Sequence, residues 1–162
     1  MNEFNPVLND TTFSIAENSA NNTSVGTLTA TDAGAREAVG DTITAGDARG
    51  RFNIERTAGG ITGAGNSSLR REQVASIVLM IEVSDGGPGT QRTDTAAVTI
   101  NITGVNEFAP SFTSSNAISI PENTTAVGTV VATDADLPAQ TVTYTITGGA
   151  DSAKFVLTTG GV

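Results

Sequence analysis

The chain has 162 residues, a formal net charge of −9, and no Cys, His or Trp, which is room for one ordinary domain and part of another. Nucleic acids and anionic membrane surfaces are gripped by clusters of Lys and Arg, which this composition lacks. Disulfides and thiolate metal sites need Cys, zinc and general-base chemistry lose their commonest donor without His, and metal binding is left to oxygen ligands. The longest apolar run, residues 77–81, is far short of the roughly 20 residues of a bilayer crossing, so membrane insertion is not expected.

Taken in order, the chain opens on Asn2-Glu3-Phe4-Asn5-Pro6 and then alternates apolar with polar residues, the mark of half-buried strands. The pattern predicts short strands at 11–15, 25–31, 42–44, 52–54 and 60–62, separated by Gly, Asn and Asp turns. Only residues 66–76 suit a helical turn. Next, Ile77, Leu79, Ile81 and Val83 share one face of a strand that stops at Asp85-Gly86-Gly87-Pro88. Ala96, Val98, Ile100 and Ile102 repeat the alternation after it, so the two segments read as a long hairpin. Seven short strands in about a hundred residues predict an all-β, immunoglobulin-like Greek-key sandwich.

Asn106-Glu107-Phe108-Ala109-Pro110 then returns as a near copy of the opening motif, and the agreement continues. Ala16-Glu17-Asn18 is answered by Pro121-Glu122-Asn123, Val25-Gly26-Thr27 by Val127-Gly128-Thr129, and Ala30-Thr31-Asp32 by Ala132-Thr133-Asp134. Ile43-Thr44 and Phe52 correspond to Ile146-Thr147 and Phe155. A period near a hundred residues suits a string of whole domains rather than a solenoid. The expected division is therefore one full unit over 1–106 and the front half of a second over 107–162, with strands at 117–120, 127–132, 142–146 and 155–157. A half sandwich exposes its inner face and its strand edges, which leads us to expect completion by another chain, as in a homodimer. Because the chain enters directly on a linker motif, we also expect a longer parent protein whose export signal lies elsewhere.

These blocks, with Leu69-Arg70-Arg71-Glu72, Asp85-Gly86-Gly87-Pro88 and Asp134-Ala135-Asp136 in the same order and spacing, resemble the cadherin repeat, especially the cadherin-like domains of large bacterial secreted proteins. The resemblance covers essentially the whole chain. It implies Ca2+ at the joint between repeats, held by Glu17 and Glu72 of the first unit, by Asn106, Glu107 and the carbonyl of Phe108 in the linker, and by Asp134 and Asp136 of the second. Oxygen donors of this kind are what calcium takes in sets of about six to eight. Bare carboxylates at ~4 Å repel by about 1 kcal/mol in water and by more near protein, a repulsion that a divalent cation reverses. A second, partial site is expected from Asn2, Glu3, Asp32 and Asp85, weakened because Gly34 stands where a second Asp would be. Two departures from the family pattern, Arg70 in place of the leading Asp of an Asp-Arg-Glu stretch and Gly104 in place of the linker's first acid, imply fewer ions than the family's usual three.

The function expected is an extracellular or cell-surface adhesion and spacing module, stiffened by calcium and binding its own kind or a cell surface. The alternative is a carbohydrate-binding appendage of an adhesin or a polysaccharide-degrading protein. Sugar platforms usually offer exposed Trp or Tyr, however, and this chain holds Tyr144 and six Phe. Enzymatic activity is not expected, since there is no Gly-x-Ser-x-Gly elbow and the paired acids fall where a metal joint explains them.

Overall fold

The computed structural model describes residues 4–33, 40–64, 69–85 and 91–158. It divides the chain into two compact units, Met1–Val105 and Asn106–Val162.

Among its described residues the first unit has seven strands: β1 (Thr11–Ala16), β2 (Ser24–Thr27), β3 (Gly40–Ala45), β4 (Phe52–Ile54), β5 (Gly60–Gly63), β6 (Ser76–Ser84) and β7 (Thr93–Thr103). They form a four-stranded sheet in the order β1-β7-β6-β3 and a three-stranded sheet in the order β2-β5-β4. The hairpin predicted from the alternation dominates the first sheet. β6 and β7 pair antiparallel in unbroken register from Ser76↔Asn101 to Ser84↔Thr93. Ile77, Leu79, Ile81 and Val83 of β6 and Ala96, Val98, Ile100 and Ile102 of β7 are all buried, while Val78 and Met80 between them face outward. A period of two places alternate side chains on opposite faces of a sheet, and one face here lies against the second sheet through Phe52 and Ile61. β1 joins the outer edge of the hairpin in parallel with β7, from Thr11↔Val98 to Ala16↔Thr103.

Two local readings change. The strand expected over 25–31 ends at Thr27. Beyond it the backbone holds to neighbours one bond at a time, with the Leu28 N–H donating to the Gly59 carbonyl and Thr31 bridging to Val7. The region expected to hold a helical turn does so over its described part, since the N–H groups of Gln73 and Val74 both donate to the Arg70 carbonyl. Residues 66–68 and 86–88, which enter the sequence reading of the helical turn and of the hairpin turn, lie outside the described residues.

The second unit departs further from expectation. Its described strands are β8 (Ser111–Phe112) and β9 (Ala132–Thr133), paired antiparallel, with a single 3₁₀ turn at Ser152–Lys154. None of the strands expected at 117–120, 142–146 and 155–157 is present there, and of that at 127–132 Ala132 alone lies in a strand. The reason is packing. Every buried large apolar side chain among the described residues lies in the first unit, whereas Ile118, Ile120, Val131, Ile146 and Phe155 are exposed, and Phe112 and Val156 reach 72% and 86% exposure. β-propensity expresses itself as a fit to a half-buried pleated surface. Where nothing covers those side chains, the alternation alone does not fix a ladder.

Candidate metal sites at the ends of the sandwich

The long hairpin gives the first unit two poles, one at the start of β6 and the end of β7, the other at the hairpin turn. At the first pole, β1 delivers Glu17 immediately after its last residue, and the backbone N–H of Glu17 donates to the Thr103 carbonyl at 2.9 Å. Its carboxylate is only 2% exposed. One oxygen, Oε2, accepts the Arg71 N–H at 2.7 Å, and the other, Oε1, accepts the Val105 N–H at 2.7 Å. The hydrogen-bonded turn that begins at Arg70 presents Glu72 on the same side, with carboxylate oxygens of Glu17 and Glu72 within 4.8 Å of each other. The Arg71 side chain donates from Nη1 to the Ala75 carbonyl at 2.9 Å. The two N–H donors tie the Glu17 carboxylate to the backbone at Arg71 and at Val105. Glu17 and Glu72 are therefore brought together, Glu17 being held by backbone donors that the side-chain pattern of the sequence did not disclose.

The second unit gathers Glu107, Phe108 and Asp134 around Asp136, which is 1% exposed. Asp136 Oδ1 accepts the N–H groups of Glu107 and Phe108, both at 3.2 Å, and its Oδ2 lies 3.3 Å from the Phe108 nitrogen. Asp134 Oδ1 accepts the Asp136 N–H at 2.9 Å, which folds the Asp-x-Asp stretch into a tight loop. Asn106 donates from Nδ2 to Gln140 Oε1 at 2.8 Å, and Gln140 is a participant that sequence reasoning missed because no acid marks it. In this unit no large apolar side chain among the described residues is buried, and the residue withdrawn from solvent is a carboxylate.

At the hairpin turn, Asp85 is buried and its Oδ1 accepts the Arg92 N–H at 3.0 Å, while its own N–H donates to the Arg92 carbonyl at 3.1 Å. Asp85 therefore closes the hairpin, the role that a turn residue would have without any metal. Asp32 is half-buried beside the Val7–Thr31 bridge. Asn2, Glu3 and Gly34 lie outside the described residues. Two neighbours the sequence reading passed over stand here: Asn5 Oδ1 accepts from Arg92 Nη1 at 2.8 Å, and Asp94 Oδ2 accepts the Leu8 N–H at 2.8 Å. A guanidinium at this pole works against a cation.

A sheet of four strands against a sheet of three, with acids at both ends of its longest hairpin, defines an immunoglobulin-like Greek-key sandwich. A family model described as Cadherin domain matches residues 11–103, and the chain belongs to that family. It is 34% identical over 125 residues to mouse Protocadherin Fat 4, an overlap of 74% of this chain and 2% of that protein. It is 33% identical over 166 residues to pig Protocadherin-11 X-linked, covering 96% of this chain and 15% of that one. Among solved structures, the human Desmocollin-1 ectodomain superposes with a TM-score of 0.71 at 28% identity, over 85% of this chain and 28% of that one. The chain thus spans a small part of the relatives it matches.

Proposed function

We propose that this chain is a calcium-dependent adhesion and spacing segment of an extracellular or cell-surface protein, in which Ca2+ is held by Glu17 and Glu72 from the first unit and by Asn106, Glu107, the Phe108 carbonyl, Asp134 and Asp136 from the second. The observation that carries this reading is the buried Glu17 carboxylate. It accepts the N–H of Val105, the last residue of the first unit, and has the Glu72 carboxylate within 4.8 Å. Two carboxylates this close, one withdrawn from water, repel, and calcium converts that repulsion into attraction. Membership of the cadherin family supports the choice of metal, as do donors that are all hard oxygens. The partial site of Asn2, Glu3, Asp32 and Asp85 is the weaker of the two, since Arg92 stands at that pole.

Calorimetric titration with calcium tests the assignment. Wild-type chain is expected to bind in the ~0.1–1 mM range typical of extracellular modules, and Asp134→Ala with Asp136→Ala is expected to abolish the tightest event. Binding that is unchanged in the double variant sinks the assignment. The same reading gives the chain a second copy of itself as partner, and sedimentation should then show mass rising with concentration in calcium. A strictly monomeric chain at every concentration argues against that part.

A further inference from the structure

We propose that Asp41 is a proton-responsive element of the first unit, which leaves the sandwich weaker at neutral pH and lets it tighten in mild acid. Asp41 is the second residue of β3, opposite Val83, and is 7% exposed. Its N–H donates to the Arg56 carbonyl at 2.8 Å, but its Oδ1 is buried without a hydrogen-bond partner among the described residues. Oδ2 lies against glycine backbone, 3.3 Å from where a Cβ on Gly59 would stand, beside Leu28. A buried acceptor left unmatched is costly, and an ionised one more so. Burial accordingly raises the Asp41 pKa above the ordinary aspartate value.

The charged groups on the surrounding elements are Glu55 and Arg56 in the β4–β5 turn, Glu82 on β6 with Asp85 just after it, and Asp94 on β7 with Arg92 just before it. The Arg56 Nε lies 3.1 Å from where a Gly40 Cβ would stand, but no bond from it to the Asp41 carboxylate is formed among the described residues. In the second unit the matching position is Tyr144, whose hydroxyl accepts the Ala132 N–H at 2.9 Å.

The sign follows from linkage. A carboxyl that holds its proton more tightly when folded gives its full stabilisation below the unfolded value of about 3.9, and that stabilisation is lost as pH rises through the higher folded value. Thermal unfolding of the full chain, followed from pH 4 to pH 8 for wild type and Asp41→Asn, tests the proposal. The variant, which cannot ionise, is expected to melt higher than wild type at neutral pH, with the gap closing toward pH 4. The gap should be equal in saturating calcium and in chelator, so failure of the calcium reading leaves the test intact. A gap independent of pH, or a variant that melts lower at neutral pH, overturns the proposal. If Asp41→Asn does not fold, carbon-13 titration of the wild-type Asp41 carboxyl decides: a midpoint clearly above 3.9 upholds the proposal and one at or below it refutes it.

Discussion

Among single residues, Glu17 is the one on which most depends. It follows β1 directly and ties two distant backbone segments, at Arg71 and at Val105, through one carboxylate. Truncation would leave two backbone donors without their acceptor, and a stranded buried polar group costs about 1–3 kcal/mol. Glu17→Ala should therefore lower the unfolding free energy by about that amount in urea titrations with chelator present, before any metal is considered. A change within about 0.5 kcal/mol would mean that water replaces the carboxylate at no cost. The sequence singled out this glutamate through the family pattern, but it could not disclose the two N–H donors, because backbone groups leave no trace in residue identity. For the same reason Gln140, which takes the Asn106 amide, was invisible.

Strand alternation was legible wherever a strand had something to pack against. Ile77, Leu79, Ile81 and Val83, chosen from period alone, are buried, and their partners on β7 follow in register. The core is correspondingly sensitive: Ile81→Ala removes a fully buried side chain and should cost about 2–5 kcal/mol in denaturant unfolding, whereas Val78→Ala on the outward face of the same strand should cost far less. At the end of β3, Gly46 has φ +92 and a Cβ there would stand 1.9 Å from the Val78 carbonyl oxygen, just past a shift in register. Gly46→Ala must displace β3 from β6, and hydrogen exchange of the β3 amides should accelerate while those of β4 and β5 remain slow. Equal exchange in both sheets would show that the shift is absorbed without loss. The irregular stretch after β2 was misread as strand because its apolar residues, Leu28 and Ala30, do pack on the core. Burial there is achieved without a ladder.

In the molecule as a whole, the first unit was readable from sequence almost strand for strand and the second was not. The same blocks of residues recur in both, but in the first unit they meet the β6–β7 hairpin, and in the second Ile120, Ile146 and Phe155, the counterparts of Ile15, Ile43 and Phe52, stay exposed. A motif carries its chemistry through such a change better than a strand carries its pairing. The Asp134–Asp136 loop and the backbone of Glu107 and Phe108 are joined even where strands are few. With acids in the first unit and acids in the second, the proposed role of calcium is to make one body of two. The most direct test is the alignment of the two units measured by residual dipolar couplings, in saturating calcium and in chelator. A single shared alignment tensor in calcium and two independent ones in chelator are the expected result; the same behaviour in both conditions would contradict the claim.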